Sequence, residues 1–174
     1  AAFAAAVAWI NMRGEAAIPA DAAPHDGTPA QVERGAYLAR AGNCATCHTP
    51  RGGAPFAGGR GIETPFGTVY AGNLTPDDET GLGRWSAEHF WRALHHGRSF
   101  DGRLLYPAFP YPDTTRVTRE DSDALYAYLR SLPAVRRANT PHALQFPYST
   151  QAALAVWRAL FFRPGVYEPD PARS

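Results

Sequence analysis

Residues 44–48 read Cys-Ala-Thr-Cys-His, and Cys44 and Cys47 are the only cysteines in the 174-residue chain. Two thiols cannot build a disulfide framework. A thioredoxin-like redox pair would want a βαβ setting, whereas this pair ends a predicted helix and enters a Gly-rich loop. A structural zinc site would need further Cys or His ligands at matching spacing, and there is no second cysteine pair. Attachment of a c-type haem needs this pattern. Two thiols add to the two vinyl groups along one porphyrin edge, two intervening residues set the sulfurs at that separation, and the adjacent His48 reaches the iron. The motif therefore predicts one haem c, bound covalently through Cys44 and Cys47, with His48 as the proximal iron ligand.

The haem would also supply core that the chain lacks. Glycine and proline number 16 each, above average usage, which implies a loop-rich domain. Basic and acidic residues number 17 and 16. That balance excludes a nucleic-acid footprint, which needs a basic excess on one face. Every basic residue is arginine, so a docking surface must be built from Arg or be largely neutral.

Residues 1–13 begin with AAFAAAVAWINM, apolar but shorter than the roughly 20 residues that span a bilayer. This segment reads as the tail of a longer signal anchor or transmembrane helix. The alternative is a short helix packed on the domain. Residues 14–28 are small, polar and Pro-rich, a linker pattern. The haem domain is expected over 29–135, and 136–174 reads as a C-terminal extension and boundary.

Thr28 and Pro29 start a helix that runs to about Gly42, with Val32, Tyr37 and Leu38 on its apolar face and Gly35 allowing a close neighbour. Further helices are expected over 86–96, capped by Ser86 and stopped by Gly97; from about Thr118 to Pro133; and, more weakly, over 150–162. Residues 49–84 read as loop, with no strand of consequence. The expected fold is all-α: three main helices around one haem, long Gly/Pro-rich loops and a helical extension.

The stretch LLYPAFPYP, residues 104–112, is stiffened by three prolines and has Phe109 at its centre. It connects the middle and last main helices. Together with ERGAYLARAGNCATCHTP, FAGGRGIETPFGTVYAGNLTPDDETGLGRWS and VTREDSDALYAYLRSLPAV, it resembles the class I c-type cytochromes. More narrowly, the chain resembles the first haem domain of the multihaem cytochrome subunits of membrane-bound bacterial dehydrogenases, of the alcohol, gluconate, aldehyde, isoquinoline or nicotinate type. The segment FPYSTQAALAVWRALFFRPG looks like that family's extension.

The resemblance implies an electron-transfer subunit rather than an enzyme. It would pass electrons from a dehydrogenase subunit towards quinone or a terminal oxidase of the respiratory chain, on the periplasmic side of the bacterial cytoplasmic membrane and in association with it. It also implies that further haem domains can follow in the native chain. Family members often read YPAMPY in the loop, with Met on the iron. Here the loop reads YPAFPY, and phenylalanine has no donor atom.

The sixth iron position therefore stays open. In one reading the iron has no strong protein ligand and Phe109 covers its distal face. In others His95 or His96, at the end of the middle helix, or Met12, the only methionine, supplies the ligand. His25, His89 and His142 are weaker candidates. Trp85 is either a propionate partner or a core aromatic, and Arg51 and Arg60 are further propionate candidates. Residues 77–79, Asp-Asp-Glu, read as a solvated turn. The alternative function is a small-ligand-binding or peroxidase-like haem. Phe109 is the feature that favours it, and the absence of a placeable distal acid–base pair weighs against it.

Overall fold

A computed structural model describes residues 2–168 and Ala172. Its elements are helical apart from one small sheet: α1 (Ala2–Met12), α2 (Pro29–Ala41), α3 (Cys44–His48), β1 (Gly61–Thr64), β2 (Gly67–Tyr70), α4 (Ala87–His96), α5 (Tyr111–Thr114), α6 (Arg119–Arg130), β3 (Ala143–Leu144) and α7 (Gln151–Phe161).

Side-chain caps start the longer helices. Thr28 Oγ1 accepts the Gln31 N–H while Gln31 Oε1 accepts the Thr28 N–H, a reciprocal box. Ser86 and His89 form the same arrangement at α4. Thr118 and Thr150 accept the N–H groups of Asp121 and Ala153. Each such cap contributes about 1 kcal/mol. Gly97 ends α4 in the left-handed region, and a Cβ there would also strike the ring of Tyr111.

Helices α2 and α6 pack most closely, and α4 joins them. Gly35 makes the crossing possible: a Cβ at this position would lie 1.9 Å from the Ala124 carbonyl oxygen. Tyr37 does not join the apolar face as expected; it is exposed, and the small residues Gly35 and Ala39 are buried in its place. Tyr126 is fully buried and donates its hydroxyl to the Trp85 carbonyl at 2.6 Å, tying α6 to the start of α4.

The expectation of no significant strand fails. β1 and β2 form an antiparallel hairpin pairing Gly61 with Tyr70 and Thr64 with Gly67, and β3 adds to β2 through Gly67–Leu144. Gly67 allows this, since a Cβ would lie 2.2 Å from the Ala143 carbonyl oxygen. The chain after residue 135 is thus woven into the domain. Asn139 Oδ1 accepts the Asn73 N–H, Asn73 Nδ2 donates to the Val135 carbonyl, and His142 Nδ1 accepts the Tyr70 N–H.

Residues 14–28 lack helix and strand, as their composition implies, yet they lie against the domain. Glu15 pairs with Arg98, Gly27 abuts Ala127, and the ring of His25 meets Tyr126 edge-on. Helix α1 packs on α7. Asn11 Nδ2 donates to the Ala155 carbonyl, and the buried Arg158 donates to Asn11 Oδ1. No helix among the described residues is long and apolar enough to cross a membrane.

Candidate haem site

The sequence folds Cys44–His48 into a single short helical turn. Asn43 precedes it in the left-handed region, φ 52°, a conformation asparagine tolerates better than most residues. Its side chain accepts a hydrogen bond from the Thr46 hydroxyl. Both cysteines are free thiols and half-buried. Burial pushes the Cys44 thiol above its ordinary pKa, with the neighbouring Cys47 adding to the effect. This is opposite to the depressed pKa that activates a thiol-redox pair.

His48 is held from two sides. Its Nδ1 lies 2.8 Å from the Gly72 carbonyl oxygen. A carbonyl only accepts, so Nδ1 carries the proton and Nε2 keeps its lone pair. The backbone carbonyl of His48 accepts the Gly58 N–H at 2.7 Å. Gly58 and Gly72 cross closely, and a Cβ on Gly58 would meet the Gly72 carbonyl carbon at 2.5 Å. Burial lowers the His48 pKa, against the opposing effect of the Gly72 bond. The imidazole is therefore neutral at pH 7, with one ring nitrogen anchored and the other available. A metal-bound histidine needs this arrangement.

The loop carrying Gly72 is itself fixed. Asn73 Oδ1 accepts from both the backbone N–H and the hydroxyl of Thr75, and Thr80 Oγ1 accepts from Asn73 Nδ2. Asp77 accepts from the Thr80 N–H and hydroxyl, so the acidic run is a hydrogen-bonded turn. Among the described residues, no group of three or more His, Cys, Asp or Glu side chains could hold a metal ion.

A core of Ala39, Phe56, Leu82, Phe90, Leu94, Tyr126 and neighbouring residues lies beside the motif. Half-buried apolar side chains edge it: Cys44, Leu74, Trp85, Phe109, Leu125 and Tyr128. Phe109, Trp85 and Cys44 thus each pack against the same core. Two thiols, an oriented neutral imidazole and apolar side chains left half-covered beside them fit a covalently held haem.

The other candidate ligands sit elsewhere. His96 is buried in a small cavity with Asn11, Arg158 and Phe162. His95 stacks on Trp91 and lines a cavity of about 260 Å³ beside Gly14, Glu15 and Ile18. Both cavities are also lined by residues of the N-terminal segment. Met12 ends α1 and is 63% exposed. His89 serves the α4 cap and stacks on Phe100, and His142 holds β2.

Sequence reasoning missed Arg158, which the apolar run AVWRALFF conceals. It is buried, donates to the His96 carbonyl, and lies over Phe162 and Tyr111 at 4.6 and 5.3 Å. Burial, His95 and the arginines Arg158, Arg98 and Arg92 lower the His96 pKa to about 4. The folded state therefore resists protonating His96. Its contribution to stability is complete above the ordinary histidine value of about 6.5 and is lost as pH falls towards 4. We expect the thermal midpoint to fall across that window, by an effect on the order of 3 kcal/mol at most. His96→Gln should flatten the dependence. Parallel curves for the two proteins would contradict this.

Residues 32–133 match the cytochrome c family model. The chain is 50% identical over 145 residues to a nicotinate dehydrogenase subunit of Pseudomonas putida, covering 83% of this chain and 12% of that protein. It is 46% identical over 149 residues to the gluconate 2-dehydrogenase cytochrome c subunit of Pantoea cypripedii, covering 82% and 34%. The cytochrome c subunit of alcohol dehydrogenase (quinone) from Gluconacetobacter polyoxogenes is 41% identical over 148 residues, covering 84% and 32%. The chain thus spans about an eighth to a third of the length of these relatives. Motif, oriented histidine and family match agree: the chain belongs to the cytochrome c family, whose members carry electrons on covalently bound haem c.

Proposed function

We propose that this chain carries electrons on a single haem, joined through Cys44 and Cys47 and bound at the iron by His48 Nε2, as part of a dehydrogenase assembly. The observation that carries this reading is the His48 geometry: Nδ1–H is held by the Gly72 carbonyl at 2.8 Å, one residue after the second thiol. The haem supplies a reversible one-electron iron couple. The protein orients the imidazole, excludes water with its apolar margin and keeps the site rigid through the 73–80 turn. In this reading α2, α4 and α6 are the three main helices around the haem. Cytochrome subunits of gluconate and quinone-linked alcohol dehydrogenases are among the relatives, which supports a dehydrogenase subunit as donor and a quinone or oxidase as acceptor. Haem attachment outside the cytoplasmic membrane places the chain on the periplasmic side. Reduction by dithionite and full reoxidation over repeated cycles, with the haem spectrum preserved, tests the electron-carrier role. Bleaching of the haem within the first cycles would count against it.

We infer that no protein side chain would hold the sixth position and that Phe109 would cover it, since His95 and His96 line cavities beside the N-terminal segment and Met12 is exposed. This also keeps a second reading in view, a haem that binds a small molecule, which Phe109 alone favours. The reduced protein should form a carbon monoxide adduct rapidly. Phe109→Met restores a thioether donor at the loop centre. The reduction potential should rise by roughly 0.1 V or more, and adduct formation should slow. A redox titration that finds no difference between the two proteins would remove the cover role.

A further inference from the structure

We propose that His142 is a positioning residue that clamps the two walls of the haem site, fixing the anchor of His48 and the cover of Phe109 together. The inference deepens the electron-carrier reading and rests on it. One wall is the strand and loop that orient His48. β2 ends at Tyr70, and two residues later the Gly72 carbonyl holds His48 Nδ1 at 2.8 Å. The other wall is the loop that carries Phe109. It begins at Leu104 and Tyr106, and the Tyr106 carbonyl accepts the Phe109 N–H at 3.0 Å.

His142 touches both walls. Its Nδ1 accepts the Tyr70 N–H at 3.1 Å. An accepting nitrogen carries no proton, so the ring is neutral with its proton on Nε2. Burial, and then the nearby Arg103, lower the His142 pKa and keep that form at pH 7. The same ring meets Tyr106 edge-on, with centroids 5.1 Å apart and planes at 90°, a geometry that aromatic pairs favour. Neighbouring groups extend the grip on each side. Asn139 accepts the Asn73 N–H at 2.8 Å and donates to the Thr80 carbonyl, so the segment that brings His142 also holds the turn beside Gly72. β3 follows at once and pairs Ala143 with Thr68. On the loop side, Gln151 accepts the Leu104 N–H at 2.8 Å and donates to the Leu104 carbonyl at 3.1 Å. Residues 139–151 therefore run from the wall behind His48 to the wall that carries Phe109. The two contacts of His142 differ in chemistry. Nδ1 makes the hydrogen bond and the ring makes the edge contact, so substitution separates them.

The test uses the full haem-loaded chain, with redox titration and the rate of carbon monoxide association to the reduced protein as readouts. His142→Phe keeps a ring for Tyr106 but cannot accept the Tyr70 N–H. The Gly72 carbonyl then holds His48 less firmly, the imidazole becomes less basic, and the reduced iron is favoured. We expect the reduction potential to rise while carbon monoxide association stays near wild type. His142→Asn keeps an acceptor for the Tyr70 N–H but loses the ring. We expect carbon monoxide to associate severalfold faster, with the potential closer to wild type. Asn139→Leu removes the acceptor of the Asn73 N–H and should repeat the shift of His142→Phe. Wild-type potential and association rate in both His142 variants, whatever their unfolding midpoints, would reduce His142 to a packing residue and overturn the proposal. Equal changes of both readouts in both variants would also overturn it, because they mean general loosening rather than a clamp. Haem content and redox cycling separate this inference from the reading beneath it. Variants that carry covalent haem and cycle normally, but show no split, sink the clamp alone. A wild-type chain without covalent haem sinks the electron-carrier reading and the clamp with it.

Discussion

The double variant Cys44→Ala/Cys47→Ala should carry no covalently bound haem and should fail to fold. The core beside the motif consists of a few side chains from α2, α4 and α6 together with Phe56 and Leu82 from the intervening loops, edged by half-buried residues. Residues 49–84 are mostly loop and hairpin, and their buried side chains Phe56, Ala57, Val69, Ala71 and Leu82 are mostly small. A few hundred Å² of apolar haem surface, at about 25 cal/mol per Å², contributes on the order of 10 kcal/mol. That equals the whole stability of a typical domain, so the apoprotein has little left. Each single alanine variant keeps one thioether and should retain part of the loading. Haem staining after denaturing electrophoresis reads the outcome, and stained double variant would refute the assignment.

Gly58→Val should cost about 3 kcal/mol or more and weaken the hold on His48. Gly58 has φ +71°, a conformation β-branched residues avoid, and a Cβ there meets the Gly72 carbonyl carbon at 2.5 Å and the Asn73 nitrogen at 2.6 Å. The side chain would push away the carbonyl that anchors His48 Nδ1 and would strain the Gly58 N–H bond to the His48 carbonyl. Gly52 supplies the control. Its φ is +68°, but nothing lies within 4 Å of a Cβ there. Gly52→Val carries the backbone strain without the collision, at about 1–2 kcal/mol. Denaturant unfolding of the haem-loaded proteins compares them. Equal costs would mean that the Gly58–Gly72 crossing has no special role.

The parts of this structure legible in the sequence were those with local causes. The Cys-x-x-Cys-His spacing is a chemical requirement, and the caps at Thr28, Ser86, Thr118 and Thr150 act within three residues. Gly35 signalled a close crossing because a missing Cβ has few other uses in a helix interior. The sheet was not legible. β1 and β2 are four residues each and β3 only two, and β3 is defined by pairing with a partner some 75 residues away. Likewise, apolar periodicity marks 155–162 as a packing segment but says nothing about Arg158, which is buried only because Asn11 and the His96 carbonyl receive its hydrogen bonds. Residues 14–28 read as a linker by composition, while the Glu15–Arg98 pair that fastens them joins groups 83 positions apart.

A single covalent haem on Cys44 and Cys47 is tested most directly by the intact mass of the purified chain after acid–acetone extraction, together with its pyridine haemochrome spectrum. The polypeptide should carry one haem, with a spectrum characteristic of two thioether links. A chain at its bare polypeptide mass, with the haem left in the solvent, would contradict it.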